Sequence, residues 1–100
     1  MHLKEIQDWT REAWKVSHKK VDEKMELIFL MEEVGEMAEA IRKTQGKKKN
    51  KKIIVDLEKE MGDILLTIAT LANRYKIDLE NSWLKTKRSI ERRYMKRKVR

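Results

Sequence analysis

A five-residue pattern that occurs twice constrains this chain more than any other feature. The order acid, apolar residue, Gly, acid, apolar residue is found at residues 33–37 and again at residues 60–64. Each copy lies in a run whose apolar residues recur every three or four positions, which predicts an α-helix. Two acids three residues apart lie on one side of a helix. The sequence therefore predicts two helices, each with a pair of acids on one side.

Apolar stripes beside these acids predict how the two helices pack. A helix advances about 100° per residue, which puts each acid pair on the same shoulder of its stripe. If the stripes pack antiparallel, both acid pairs meet at the edge of a shared core. Gly35 and Gly62 would let the backbones approach closely there, at a helix-propensity cost of roughly 1 kcal/mol each. The stripes are Leu30, Val34, Met37 and Ile41, then Leu57, Met61, Ile64, Ile68 and Leu71.

The meeting of Glu33, Glu36, Glu60 and Asp63 has a chemical consequence. Carboxylates brought together in a half-buried place repel one another, so some take up protons or a divalent cation neutralises them. Carboxylate oxygens suit Mg²⁺ or Mn²⁺, and the chain has no Cys to offer a softer site. The alternative is that these are ordinary solvated helix charges. Because both pairs lie on matching shoulders, a metal site is favoured.

These acids carry a resemblance to a known family. Glu32, Glu33 and Glu36, followed after a basic loop by Glu60 and Asp63, resemble the EExxE…ExxD signature of the MazG-type all-α nucleoside triphosphate pyrophosphohydrolases. The similarity covers roughly residues 3–94. It implies metal-dependent hydrolysis of nucleoside triphosphates to nucleoside monophosphate and pyrophosphate, as in the removal of noncanonical nucleotides. It also implies that Glu32 is a candidate base or second-metal ligand. The residues that it implies as metal ligands are Glu33, Glu36, Glu60 and Asp63.

The resemblance also assigns phosphate contacts to the last helix. Arg93 and Tyr94 match an Arg-Tyr pair of the family. The family's Lys and Asn, a turn apart, correspond here to Thr86 and Ile90, so a neighbouring Lys would have to reach around the helix. The predicted phosphate-binding residues are Lys85, Lys87, Arg93 and Tyr94.

Composition agrees with one all-α domain. The chain has 100 residues, of which 42% are charged and 40% apolar, with no Pro and three Gly. Such a composition is typical of helices with short connections. Together with the resemblance, this predicts an antiparallel four-helix, bundle-like MazG fold over residues 1–96 and a basic tail at residues 97–100, its core completed by oligomerisation. Periodicity places the helices at about residues 3–16, 24–43, 53–75 and 79–94, with Asp22 and Asp78 as N-caps.

Aromatic and apolar residues predict the core and a partner. Trp9 belongs to the apolar stripe of the first helix, with Leu3, Ile6, Ala13 and Val16, and is expected in the core. Trp14 lies nearer the edge, where it could face a partner subunit or a nucleotide base. Residues 64–72 are apolar on most sides and need cover on more than one face. We therefore expect a homodimer or a dimer of dimers, with oligomerisation completing the core.

The net charge of +8 suggests a different function. It is concentrated at residues 47–52 and 85–100, so the chain could be a non-enzymatic helical module that binds nucleic acid or an acidic partner. Solvation is the favoured role for such segments, and nucleic acid is not expected as a partner. A third interpretation is an oligomerisation bundle whose acids only solubilise it. No apolar run approaches the roughly 20 residues that span a bilayer, so we expect a cytoplasmic protein.

Overall fold

Four α-helices make up the part of the chain that the computed structural model describes, residues 2–17, 22–44 and 51–95. They are α1 (Leu3–Ser17), α2 (Glu23–Thr44), α3 (Lys51–Arg74) and α4 (Leu79–Tyr94). No strand occurs in these ranges, so the predicted all-α fold is confirmed. The spacing of the helices predicts a first turn at residues 17–20, but Ser17 still belongs to α1. Residues 18–20, residues 47–50 of the basic loop and the tail at residues 97–100 lie outside the described residues.

Both predicted N-caps are present. Asp22 Oδ1 accepts a hydrogen bond from the Met25 backbone N–H at 2.8 Å. Asp78 Oδ1 accepts from the backbone N–H groups of Glu80 and Asn81 at 2.9 and 3.3 Å. These bonds satisfy amides that have no partner within the helix, which fixes where α2 and α4 begin. Helix α3 begins at Lys51, earlier than the predicted residue 53.

A left-handed residue ends α3 and turns the chain towards α4. Lys76 has a φ of 55°. Its N–H donates to the Asn73 carbonyl at 3.2 Å, and the Ile77 N–H donates to the Ala72 carbonyl at 2.8 Å. This pair of bonds is the Schellman motif, in which Gly is the usual left-handed residue. The turn therefore holds despite a side chain that disfavours its conformation.

Helices α2 and α3 pack antiparallel, as predicted. Glu26 near the start of α2 receives two hydrogen bonds from Arg74 at the end of α3, from Nε at 2.8 Å and from Nη2 at 2.7 Å. The Tyr75 hydroxyl donates to Glu23 Oε2 at 2.6 Å. These contacts set the register of the two helices. Helix α1 packs against α3, and α4 contacts α1.

The face that α1 turns towards the bundle differs from the predicted one. Trp9 is 62% exposed, so its expected place in the core was wrong, and Val16 of the same stripe is 76% exposed. Gln7 and Thr10 are buried instead, and Trp14 is half-buried. Polar side chains can be buried when they are hydrogen-bonded. Leu3, Ile6 and Ala13 of the predicted stripe are half-buried. The buried face of α1 is therefore displaced from the predicted stripe towards Gln7 and Thr10, and Trp9 falls outside it.

Gln7 shows how that burial is compensated. Its Nε2 donates to Asn73 Oδ1 at 3.1 Å and to the Ile77 carbonyl at 2.8 Å. Its Oε1 accepts from the Leu79 N–H at 3.0 Å, and its backbone carbonyl accepts from Asn73 Nδ2 at 3.0 Å. One side chain thus ties α1 to the end of α3 and the start of α4.

The apolar stripes of α2 and α3 are only partly covered. Gly35 and Gly62 do not mark a close approach of the helices, because a Cβ added at either would meet nothing within 4 Å in the described chain. That prediction was wrong for a single chain. The buried apolar side chains in the described ranges belong to Ala69 and Ala72. The stripe residues that remain exposed are Val34, Ile41, Met61 and Ile68.

None of the described helices is long and apolar enough to cross a membrane.

Candidate metal centre and adjoining cavity

Three carboxylates converge between α2 and α3. One oxygen from each of Glu33, Glu36 and Glu60 lies within 4.8 Å of the other two. The first two residues are one helical turn apart on α2, and antiparallel packing places Glu60 of α3 opposite them. We call these three residues the carboxylate cluster. Three of the four predicted metal ligands therefore come together.

Two oxygens of the carboxylate cluster are buried without a partner. Oε2 of Glu33 and Oε2 of Glu60 accept no hydrogen bond from the residues that the structure describes. Buried polar atoms in proteins nearly always have a partner, so each orphaned oxygen calls for an explanation. A proton or a cation would satisfy both atoms, and the donor set consists only of hard oxygen ligands, which fits Mg²⁺ or Mn²⁺.

Mutual repulsion also changes the acidity of the cluster. A hydrogen bond to Glu60 and the charge of Glu60 raise the pKa of Glu36, while nearby Lys59 acts in the opposite direction. A hydrogen bond to Glu33, followed by desolvation, raises the pKa of Glu60. Two carboxyl groups can share a hydrogen bond only when one of them holds a proton. Without a cation, the cluster therefore favours a partly protonated state.

Asp63 lies beside the cluster, one turn after Glu60 on α3, and is not among its three converging groups. Its negative charge nevertheless contributes to the raised pKa values of Glu36 and Glu60. Glu32 is exposed on α2, outside the cluster. The next acid along α2, Glu39, pairs with Arg42 at 2.6 Å on the surface. The acids near the signature thus divide into a converging group, a close neighbour and surface charges.

A cavity of about 680 Å³ adjoins the cluster, between α1, α2 and α3. Glu33 and Asp63 belong to its wall, and Trp14, Phe29 and Leu66 supply apolar surface. Cavities of this size that combine apolar walls with a few polar groups are typical small-molecule sites. The carboxylates and the cavity therefore form one continuous candidate site.

Trp14 is held in the cavity wall by a hydrogen-bond relay. Its Nε1–H donates to Thr70 Oγ1 at 2.8 Å, and the Thr70 hydroxyl donates to the Leu66 carbonyl at 2.8 Å. Because the indole N–H is already used, the flat ring face is what remains for a ligand. The sequence placed Trp14 at an edge, facing a partner or a base, and the structure brings it to the cavity.

The predicted phosphate-binding residues lie elsewhere. All four are exposed on α4, the helix that contacts α1. The Arg93 guanidinium lies 5.4 Å from the centroid of the Tyr94 ring. None of the four belongs to the cavity wall or to the carboxylate cluster in the described part of a single chain. These residues are Lys85, Lys87, Arg93 and Tyr94.

Sequence reasoning missed several residues of the cavity wall. Glu26 and Arg74 are 48 positions apart in the chain, and the wall residue Asn73 is separated by 66 positions from Gln7, which binds it from outside the wall. No local pattern marks such pairs. The only available signal for Arg11 is its position three residues before Trp14, on the same side of α1.

The family assignment follows from a sequence comparison. The profile of the MazG nucleotide pyrophosphohydrolase domain matches residues 22–97. The chain belongs to the MazG family. The matched segment holds α2, α3 and α4, and with them all four predicted metal ligands of this MazG domain. Helix α1, with Trp14 and Arg11, precedes the match. Comparison with curated protein sequences gave no significant match. Membership of the MazG family supports nucleotide pyrophosphohydrolase activity in general.

Proposed function

We propose that this protein hydrolyses nucleoside triphosphates to nucleoside monophosphate and pyrophosphate with Mg²⁺, or with Mn²⁺ in its place, and removes noncanonical nucleotides. Water attacks the α-phosphorus, and the bond from that phosphorus to the α,β-bridging oxygen breaks. The observation that supports this most is the convergence of Glu33, Glu36 and Glu60 beside a nucleotide-sized cavity. Membership of the MazG family agrees with it.

The proposed ligands of the ion are the carboxylate cluster and Asp63. Their oxygens suit a hard divalent cation, and the two orphaned oxygens give it contacts that no described protein group takes. When bound, the ion would neutralise phosphate charge and lower the pKa of coordinated water. The chain itself fixes the carboxylates at the cavity, so that a triphosphate and a water meet at one place.

Glu32 is the proposed base or second-metal ligand. It precedes Glu33 and is turned about 100° from it around the helix. Its exposed carboxylate can accept a proton and pass it to solvent. Replacement by Gln should lower kcat and leave binding of the first ion unchanged. An unchanged kcat would remove Glu32 from the mechanism.

Trp14 is the proposed contact for the base. Its ring lines the cavity and its N–H is committed to Thr70, so a base would stack on it without competing for that bond. Phe29 and Leu66 extend the apolar surface. The Trp14→Leu variant should raise KM more than it lowers kcat, because stacking holds substrate and transition state alike.

We also propose that two copies associate, as a homodimer or within a dimer of dimers, through the uncovered faces of α2 and α3. Met31 is 67% exposed and Met61 is 54% exposed, which is costly for apolar side chains on a lone domain. The radius of gyration is 16.6 Å, whereas a compact domain of this length has about 13 Å. Light scattering on the purified protein tests this, and a monomer at micromolar concentration would contradict it.

A second copy would also bring another α4 into the assembly. We propose that Arg93 and Tyr94, with Lys85 and Lys87, contact the pyrophosphate end of the substrate from there. Their position outside the cavity wall of their own chain agrees with this proposal. Mixing a chain that carries Arg93→Ala with one that carries Glu36→Gln should restore activity if the two residues act across subunits. No restoration in mixed dimers would contradict it.

An assay of product identity tests the reaction. The pure protein is incubated with nucleoside di- and triphosphates, with and without Mg²⁺, and released pyrophosphate and orthophosphate are measured separately. We expect pyrophosphate from triphosphates, only with the metal. Glu36→Gln and Asp63→Asn should each abolish its release while the fold is kept. Glu39→Gln is the matched control, because Glu39 lies one turn further along α2 and pairs with Arg42. Full activity in both site variants would overturn the assignment.

A further inference from the structure

We infer that the cavity selects nucleotides whose base has a carbonyl oxygen where adenine and cytosine have an amino group, and that Arg11 and Arg74 make this selection. Guanine, hypoxanthine and uracil are such bases. The inference rests on the proposed function and adds the class of substrate. The hydrogen-bond donors that the protein leaves unused in the cavity wall support it.

Arg11 brings unused donors to the wall. Its Nη1 donates to Asp8 at 3.0 Å and its Nη2 to Asn73 Oδ1 at 3.2 Å. A guanidinium has five N–H groups and no acceptor, so these two bonds leave further N–H groups for a ligand. The side chain is 48% exposed, which keeps it accessible from the cavity.

Arg74 contributes in the same way. Its Nε and Nη2 donate to the two carboxylate oxygens of Glu26, which orients the guanidinium plane. The N–H groups of Nη1 are not part of this pair. Arg74 lies about three helical turns beyond Asp63 on α3, so these donors are at the end of the cavity away from the proposed metal.

The acceptors at this end are engaged by donors of the protein itself. Both oxygens of Glu26 accept from Arg74, and Asn73 Oδ1 accepts from Gln7 and from Arg11. Thr70 Oγ1 accepts from Trp14. The Thr67 hydroxyl donates to the Asp63 carbonyl and keeps an acceptor lone pair, but it lies one turn from Asp63, at the metal end. The Glu26 and Thr70 oxygens keep further lone pairs, but the Glu26 side chain is only 7% exposed. The accessible groups at the far end are therefore mainly the Arg donors.

A base at this end would meet the guanidinium groups of Arg11 and Arg74. A carbonyl oxygen accepts from them, and the O6 and N7 atoms of guanine form the commonest bidentate pair with Arg. An amino group in the same place would face mainly donors and few accessible acceptors for its own hydrogens, which is how a polar site rejects the wrong ligand. The N7 of adenine and the O2 of cytosine keep some affinity, so the discrimination is finite.

The test compares kcat/KM for GTP, ITP and UTP with kcat/KM for ATP and CTP. We expect a preference of roughly tenfold for the first three. Arg11→Met should flatten this preference, mainly by lowering the values for GTP, ITP and UTP. Lys4→Met is the control, since it removes the same charge from an exposed position of α1 outside this cavity. Circular dichroism of both variants checks that they are folded.

Two results would overturn the inference: equal kcat/KM for all five nucleotides, or an equal loss for all five in Arg11→Met, which would make Arg11 a phosphate contact. If no nucleotide releases pyrophosphate, the proposed function is wrong and a second measurement decides. Calorimetric titration of GMP and AMP without metal reports on the cavity alone. Tighter binding of GMP supports the inference, and equal binding or no binding overturns it.

Discussion

Two positions along the antiparallel helices α2 and α3 give carboxylates opposite environments, one with a cationic partner and one among other carboxylates. At the paired end, Glu26 of α2 receives two hydrogen bonds from Arg74 of α3, and its charge is neutralised within the protein. About two turns further along α2, Glu33 and Glu36 meet Glu60 of α3, and Oε2 of Glu33 and of Glu60 are buried with no hydrogen-bond partner among the described residues. The same two helices thus carry a satisfied carboxylate and an unsatisfied set.

The contrast separates structure from function. A carboxylate paired with Arg holds two helices in register and needs nothing from outside. Carboxylates that face one another oppose folding and acquire protons or an ion, and groups with shifted pKa values cluster at functional sites. The carboxylate cluster is such a set. It lies one helical turn from Asp63 and beside the cavity. We therefore interpret the carboxylate cluster as the candidate metal centre. The Glu26–Arg74 pair fixes the register of the two helices, and it also belongs to the cavity wall.

Replacement of a cluster residue should give the largest effect. In Glu60→Gln we expect kcat/KM for pyrophosphate release to fall roughly 10²- to 10⁴-fold, because an ion that stabilises several kcal/mol of transition-state charge loses a ligand. Glu58→Gln, an exposed acid on the same helix, should keep full activity. Steady-state kinetics with Mg²⁺ measures both. Similar activities in the two variants would mean that the cluster has no part in the reaction.

Replacement at the paired end should cost stability. Arg74→Met leaves the Glu26 carboxylate, only 7% exposed, without its cation and should lower the free energy of unfolding by about 3–5 kcal/mol. Glu26→Gln should cost less, since the Arg74 side chain is 33% exposed and water can solvate it. Urea denaturation of both variants measures the difference. Equal costs would show that Glu26 is not the desolvated partner.

Mg²⁺ should distinguish the two ends. An ion that binds only the folded state stabilises it by about 2.7 kcal/mol at 100 times its Kd. We expect Mg²⁺ to raise the Tm of the wild type and of Glu26→Gln, and to leave that of Glu60→Gln almost unchanged. Differential scanning fluorimetry over a Mg²⁺ series measures this. A Tm increase that survives in Glu60→Gln would place the ion elsewhere.

The pH dependence should give the smallest effect. The pKa values of Glu36 and Glu60 are raised above their ordinary value of 4.5 in the folded protein. The folded state then binds more protons than the unfolded state between 4.5 and the raised values, so these groups favour folding at low pH and that contribution is lost as pH rises. Metal-free protein should gain stability relative to Glu60→Gln as pH falls towards 4.5, and Mg²⁺ should reduce the gain. Chemical denaturation at several pH values measures it, and parallel curves would contradict the shift.

Local sequence rules predicted the helices well. Asp22 and Asp78 form the expected caps, because a cap depends on a few neighbouring residues. The twofold acid pattern led to Glu33, Glu36 and Glu60, because helical spacing and antiparallel packing are enough to bring them together.

Contacts between distant segments were not predictable in this way. Trp9 was expected in the core because it fits an apolar stripe, but the buried face of α1 is built on Gln7 and Thr10, whose hydrogen bonds compensate for their polarity. The pairing of Gln7 with Asn73 depends on the full topology of the chain. Stripe periodicity also does not show whether a face is covered by the same chain, and Met61 is largely uncovered.

Binding of Mn²⁺ tests the carboxylate cluster most directly. Electron paramagnetic resonance of free Mn²⁺ during titration counts the bound ions and gives their Kd without any reaction. We expect saturable binding in the wild type, a Kd at least about tenfold weaker in Glu60→Gln, and an unchanged Kd in Glu58→Gln, since loss of one charged ligand costs more than about 1.4 kcal/mol. Absence of saturable binding in the wild type, or the same Kd in all three proteins, would show that Glu33, Glu36 and Glu60 do not hold a metal ion.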